Sequence, residues 1–387
     1  MRTDYKVLGD YIQLVDKRNR DLSITNLRGV SIEKRFIPSI ANIVGTDLSS
    51  YKIVRTGQFA YGPVTSRNGE KISIAYLDSE DCIISSSYTV FEVVKKEELD
   101  SEYLMLWFSR PEFDRYARYK SHGSVREIFD WNELCMVKLP VPAIGEQKRI
   151  VKAYKTITDR IALKKQINDN LLSQAQAYFN LIFSDKDVKK PLPQGWKVAK
   201  VGDYCVDNVA NISKTDTFET ILYLDTGSIT SNYIVELQEL NLLTDEIPSR
   251  AKRKATHNDI VYSTVRPNLR HYGLLQNPPE NLIVSTGFAV LHNKGLEVTN
   301  DFLFMWLTNE SILDYLQAIA ENSVSTYPSL NVSDLMNVKI IVPDTEVLER
   351  ITHFLASIFT AISENNRQIQ MLTRSLDTLL PKLLSSR

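Results

Sequence analysis

Apolar residues recur at alternating steps of four and three in two widely separated stretches. From Glu146 to Phe183 the series is Ile150, Tyr154, Ile157, Ile161, Leu171, Ala175, Tyr178 and Ile182. From Glu346 to Leu384 it is Ile351, Leu355, Ile358, Ile362, Ile369, Leu372, Leu376, Leu379 and Leu383. A shift of 201 turns 150 into 351, 154 into 355 and 182 into 383. That step keeps one apolar stripe facing a partner helix, the seam of a coiled coil. Both stripes are interrupted at the same place, by Lys164 and Asn365, and a polar residue there can fix register. Neither Gly nor Pro occurs from Glu146 to Phe183 or from Glu346 to Leu380. Each stretch therefore predicts an unbroken helix of ~35 residues, ~50 Å long. Because the patterns match position for position, the two stripes are expected to pack on each other. The alternative is that each packs on its own neighbouring domain.

Ahead of the first long helix the pattern turns β-like, in Ile72–Tyr76, Cys82–Ile84 and Tyr88–Val94, with turn residues such as Arg67-Asn-Gly69 between runs. One short helix is expected from Ser101 to about Arg118, with Tyr103, Leu104, Trp107 and Phe108 inward, then a strand over Met136–Val141. The second half repeats these marks. Gly9-Asp-Tyr11 returns as Gly202-Asp-Tyr204, Tyr103-Leu104 and Trp107 as Phe302-Leu303 and Trp306, and Glu133-Leu134 with Val137-Lys138 and Val141-Pro142 as Asp334-Leu335 with Val338-Lys339 and Val342-Pro343. Between the halves lies the polar, Pro-containing run SDKDVKKPLPQ. The chain thus reads as a tandem duplication: a domain over 1–145, a long helix over 146–183, a linker over 184–194, a second domain over 195–345 and a second long helix over 346–387. The expected fold class is α+β, with two pseudo-symmetric α/β domains separated by two long antiparallel coiled-coil helices.

Composition narrows the function. No run of about 18 apolar residues is present, the N-terminus reads as charged rather than as a leader, and the three cysteines (Cys82, Cys135, Cys205) are far apart. A reduced, cytoplasmic setting is expected. The five histidines show no metal-ligand spacing. Net charge is −1, which by itself argues mildly against a nucleic-acid partner. The local distribution points the other way. Basic residues gather where the halves diverge: Arg250, Lys252, Arg253 and Lys254; Arg266, Asn268 and Arg270 beside His271; Arg118, Lys120, His122 and Arg126 with Arg115, interleaved with Tyr116 and Tyr119. Arg55 and Arg67 are added as first-half candidates, and Tyr327 as a residue able to stack or pack. Arg and Lys neutralise phosphates, Arg pairs bidentately with guanine and Asn with adenine. Any one such run is more often a solvated face; three in a duplicated frame point to DNA.

Catalytic readings find little support. Asn277-Pro-Pro-Glu280 resembles the motif with which amino-methyltransferases grip a flipped base, but Glu280 stands where an aromatic would stack and no Gly-rich cofactor turn precedes it. It is read as a loop between strands. No GxxxxGK[ST] run exists for an ATP motor, and no catalytic metal or nucleophile is proposed.

The ordered set of motifs resembles the specificity subunit of type I restriction–modification systems. Its carriers are Gly9-Asp10 and Gly202-Asp203, Leu192-Pro-Gln-Gly-Trp196, Gly123-Ser-Val125 with Asn322-Ser-Val324, and Leu139-Pro-Val-Pro142 followed by Glu146-Gln147-Lys148-Arg149-Ile150. In the second half Ile341-Val-Pro343 and Glu349-Arg350-Ile351 remain, while Val347-Leu348 replaces Glu146-Gln147. The resemblance implies a non-catalytic chain with two target recognition domains, each reading half of a split DNA site. It implies helices that set the spacing and dock two methyltransferase subunits, S-adenosylmethionine held by those adenine-methylating partners rather than by this chain, and motor-nuclease restriction subunits joining for cleavage. About 50 Å corresponds to ~15 base pairs. The alternative is a helical-hairpin assembly module that binds protein and no DNA.

Overall fold

The structure, a computed structural model, describes residues 5–39, 45–66, 68–123, 126–213, 215–323 and 327–384. Its helices are α1 (Ser101–Phe108), α2 (Pro111–Lys120), α3 (Trp131–Cys135), α4 (Ile144–Phe183), α5 (Val201–Tyr204), α6 (Asn300–Leu307), α7 (Glu310–Glu321), α8 (Val332–Met336) and α9 (Thr345–Leu384). Two compact units result, one holding the residues up to Ile161 and those from Met371 onward, the other Ala162–Gln370.

In the first unit the strands Ile12–Val15, Thr89–Val93, Phe59–Tyr61 and Ile74–Tyr76 form an antiparallel sheet in that order. Successive strand residues point to opposite faces, and here both faces are covered. Phe59, Tyr61, Ile74, Phe91 and Val93 pack toward the helices with Phe108 and Phe129, while Ala60, Ala75 and Val90 enter a second core with Val54 and Ile84. The second unit repeats the order with Cys205–Asp207, Phe288–Asn293, Ile260–Ser263 and Tyr272–Leu274. Ile260, Tyr262, Tyr272 and Leu291 face one core, and Val261, Phe288 and Val290 another. In this unit Gln238–Asn241, Thr220–Leu224, Leu282–Ser285 and Ala251–Lys254 make a further sheet, in which Thr220–Leu224 and Leu282–Ser285 run parallel.

The helix expected over Ser101–Arg118 is two helices. Asp100 caps α1 by accepting from the Glu102 and Tyr103 N–H groups, and Pro111 opens α2. A proline has no N–H for an i→i−4 bond but suits a first helical position, so the chain breaks and restarts there.

Two repeated motifs have packing causes. A Cβ on Gly9 would stand 3.0 Å from Cys135 Cβ, and one on Gly202 3.1 Å from the Met336 carbonyl oxygen. The recurring Gly-Asp therefore lets the short helical turn after each domain's first strand approach the end of α3 or α8. Gln147, in the Glu146–Ile150 motif that carries the resemblance, is fully buried. Its amide donates to the carbonyls of Glu98 and Pro142, both at 2.7 Å, and its carbonyl accepts from the Asp100 N–H at 2.8 Å. It clamps the start of α4 to the loop before α1. Leu348, its counterpart 201 residues on, is apolar and buried in the core of the second unit. There the start of the helix is held instead by Asp344, which accepts from the Val347 N–H at 3.0 Å and from the Trp196 indole N–H at 3.1 Å.

In the second unit α4 and α9 pack on each other and run antiparallel, as Lys164 meeting Asn365 and Tyr178 meeting Phe354 require. Ile351, Leu355, Ile358 and Ile362 are buried as the stripe predicts. On α4 the burial turns further than expected: Tyr178 and Ile182 are half-buried, whereas Phe179 and Phe183 are buried against Phe302 and Trp306 of α6. The helix thus serves a partner helix and a domain core together. The interruption is a polar layer. Lys164 Nζ donates to Asn365 Oδ1 at 3.1 Å, Asn365 Nδ2 to Asn168 Oδ1 at 2.9 Å, and Asn168 Nδ2 to Asn366 Oδ1 at 2.8 Å. In the first unit, Asp377 of α9 lies near enough to Tyr154 of α4 for its charge to add to burial in raising the phenol pKa.

Two outcomes test this packing. Asn168→Ala leaves the Asn365 amide N–H and the Asn366 carbonyl oxygen without these partners in a part-buried layer, and is expected to lower stability by ~1–3 kcal/mol in urea unfolding; an unchanged midpoint would remove the layer's role. Asp301, at the start of α6, is buried with one carboxylate oxygen unpartnered, and burial raises its pKa from 3.8 to about 6. The folded chain therefore holds this proton where the unfolded chain has released it. Stability declines as pH rises from about 4 to 6, by an upper bound of roughly 3 kcal/mol. Asp301→Asn should raise stability at pH 7 and flatten that decline, as read by thermal melts across pH.

Candidate nucleic-acid interface

In the second domain the strand Ile260–Ser263 leads into a turn at Pro267–Leu269 flanked by two non-glycine residues in left-handed conformation, Arg266 (φ 49°) and Arg270 (φ 56°). Each such residue costs about 1–2 kcal/mol, so neighbouring contacts must impose the shape. The Thr264 N–H donates to the Gly287 carbonyl at 3.0 Å, the Leu330 N–H to the Thr264 carbonyl at 2.7 Å, and the Arg266 N–H to the Pro328 carbonyl at 2.9 Å. The Asn268 N–H donates to Gln317 Oε1 on α7 at 3.1 Å. Arg270 is ion-paired with Glu310 at 2.8 Å, and the Arg266 guanidinium lies 4.9 Å from the Tyr327 ring centroid. Behind the turn, the Ser231 N–H donates to the Arg270 carbonyl at 2.8 Å. Ser231 belongs to a hairpin whose Tyr233 carries Lys165 of α4 over its ring at 4.6 Å. Asn309, capping α7, donates to Asn180 of α4 at 3.1 Å.

The run Arg250–Lys254 meets the same edge at one end only. The Thr286 N–H donates to the Arg250 carbonyl at 2.9 Å, so residues 285–287 join Arg250 to Thr264. Arg250 and Lys252 are exposed. Arg253 is half-buried and donates to the Phe288 carbonyl, which together with a register shift after Ala251 turns it inward. Lys254 is paired with Asp216. The expected tight cluster is thus a strand with two cations outward and two engaged with the protein.

The first domain has the corresponding loop pair. Val64 bridges to Ile128 as Val265 bridges to Ser329, 201 residues later in both partners. The Thr65 N–H donates to the Glu127 carbonyl at 3.0 Å and its hydroxyl to Ser121 Oγ at 2.9 Å. Arg118 is paired with Glu127, and Lys120 and His122 lie 3.6 and 3.9 Å from Glu133. Arg126 is exposed, as is Tyr119, while Tyr116 packs edge-on against Phe129. Arg67 lies outside the described residues, as do Ser124, Val125 and Val324 of the repeated Ser-Val motifs. Arg55 sits apart, paired with Asp81 at the end of the ladder between Lys52–Val54 and Cys82–Ile84. The structure therefore gathers Arg118, Lys120, His122 and Arg126 in one loop region, and Arg250, Arg266, Asn268 and Arg270 in the other. What the sequence did not disclose is the acidic and amide partners: Glu127, Glu133, Asp216, Glu310 and Gln317.

Among the described residues no group of three or more His, Cys, Asp or Glu is placed to hold a metal, and no helix is long and apolar enough to cross a membrane. Burial pushes the Cys82 and Cys205 thiols up to about 12, so neither is a ready nucleophile. Asn277-Pro-Pro-Glu280 lies between the strands Tyr272–Leu274 and Leu282–Ser285, as the loop reading expects.

The family model for the type I restriction modification DNA specificity domain matches residues 41–173 and again 193–374. The chain belongs to this family. Among curated proteins, the HindI specificity subunit of Haemophilus influenzae is 25% identical over 184 residues, 48% of this chain and 39% of that protein. The match thus spans well under half of that relative's length. The MjaIX specificity subunit of Methanocaldococcus jannaschii is 23% identical over 312 residues, 76% of this chain and 70% of that one. A crystal structure of a type I restriction–modification S subunit from M. genitalium superposes with a TM-score of 0.57 at 13% identity, covering 99% of this chain and 96% of the other. At that identity the likeness concerns the fold. Both matched segments contain the loop pair described above, and each runs into a 40-residue helix.

The ion pairs predict a difference between neighbours on one strand. Lys254→Ala strips the partner that holds Asp216 below its usual carboxylate range and should lower the melting temperature, whereas Lys252→Ala should leave it unchanged. Equal melting temperatures for the two variants would contradict the placement of Lys254.

Proposed function

We propose that this chain is the DNA-reading and scaffolding subunit of a type I restriction–modification complex, with no catalytic site of its own. Each specificity domain reads one half of a split duplex site through its loop pair. The paired helices set the spacing and dock two methyltransferase subunits, which carry S-adenosylmethionine and methylate adenine. Motor-nuclease subunits join that assembly for restriction. The observation that carries the reading is the repetition of one loop pair, Val64 with Ile128 and Val265 with Ser329, each bordered by exposed basic residues within a domain of the specificity family. Arg126, Arg250 and Lys252 are the exposed cations best suited to phosphates or base edges. The paired Arg118, Lys120, Arg270 and Lys254 shape the surface and exchange carboxylate for phosphate only at the expense of an ion pair. The overall charge of −1 is consistent with contact confined to these patches.

The test is footprinting of the full chain together with its methyltransferase partner. Two protected segments separated by unprotected base pairs are expected, with affinity falling steeply as salt rises. Lys252→Ala should weaken all sequences alike and reduce the salt slope by about 1. Absence of DNA binding by the complex, or binding to a protein partner that does not respond to salt, would overturn the proposal in favour of an assembly module.

A further inference from the structure

The turn between the two left-handed arginines carries more than charge. Of its three polar side chains, Arg270 is held by Glu310 and Arg266 is laid on Tyr327. Asn268 is exposed, and among the described residues its carboxamide has no hydrogen-bond partner, although its backbone N–H is fixed by Gln317. Leu269 beside it is 44% exposed. The backbone is thus over-determined on every side, while one donor–acceptor side chain and one apolar side chain are left facing outward. A strained conformation imposed from all sides marks a site where shape serves function, and a rigid backing is what a reading side chain needs.

Resting on the reading of this chain as a DNA specificity subunit, we propose that the Arg266–Arg270 turn is the base-reading tip of the second domain, and that the Asn268 carboxamide reads an adenine edge in the major groove. The chemistry selects the base. A carboxamide presents an acceptor and a donor side by side. Adenine presents the complementary N6 donor and N7 acceptor, whereas guanine presents two acceptors at O6 and N7. Being uncharged, Asn268 cannot neutralise phosphate, so its contribution is to discrimination. Leu269 suits the methyl group of a thymine next to that contact. Arg270 and Gln317 are positioning residues, acting through the backbone they fix.

The experiment uses the full chain with its methyltransferase partner. Methylated adenines are first mapped genome-wide to define the wild-type split motif. Affinity is then measured for duplexes in which each base pair of the second half-site is changed in turn. Asn268→Ala should retain the first half-site and lose, by roughly tenfold or more, the wild-type discrimination at a single A·T pair of the second. Asn268→Asp, which keeps the shape and removes the donor, should lose preference at that same pair, and carries the test should the alanine variant melt early. Discrimination unchanged at every position, relaxation at a G·C pair, or uniform weakening across all duplexes would overturn the assignment. A wild-type complex that methylates no split motif would instead bring down the reading on which it rests.

Discussion

The antiparallel pairing of α4 with α9 is the constraint on which the second unit depends. Its apolar seam alone would tolerate a slip of one heptad, because Ile and Leu residues at successive seam positions are nearly interchangeable partners. The layer of Lys164, Asn168, Asn365 and Asn366 does not tolerate it, since a slip would place these polar groups against aliphatic side chains. Polar groups in a part-buried seam sacrifice some stability for a single alignment. The same helix turns Phe179 and Phe183 into the domain core, so the alignment of the helices also fixes where the core of that domain begins.

Duplication explains why the two halves use the same scaffold with different local solutions. Gln147 holds one helix start through three hydrogen bonds, and Leu348 with Asp344 and Trp196 holds the other through an apolar contact, a cap and an indole hydrogen bond. The Glu-Gln motif that looks degraded in the second half is therefore a change in the way the helix is fastened.

Much of this was legible in the sequence because the signals were local or periodic. The seam positions, the 201-residue repeat and the polar interruption all follow from counting. Pro111 carried the signal for the break between α1 and α2, but the apolar face of Tyr103–Phe108 invited a longer helix. The strands read as short runs without clear alternation because Phe59 and Ala60, or Val261 and Tyr262, enter cores on opposite faces of one sheet. The candidate site was legible as groups of basic residues and no further. Whether a cation is open or engaged depends on carboxylates far away in the chain, such as Glu310 for Arg270 and Asp216 for Lys254, and no spacing rule reports such pairs. The left-handed backbone at Arg266 and Arg270 had no residue signature either, since glycine and asparagine, not arginine, are the usual markers.

The turn at Pro267–Leu269 is fastened to α4 twice, through the hairpin that seats Tyr233 under Lys165 and through Asn309 against Asn180. Its orientation therefore belongs jointly to the loops around it and to the repeated helix. An exchange of loops between relatives that leaves positions 165 and 180 mismatched would graft the new tip onto a foreign footing. A substitution at Lys165 or Asn180 of α4 is therefore felt at the turn as well as along the helix.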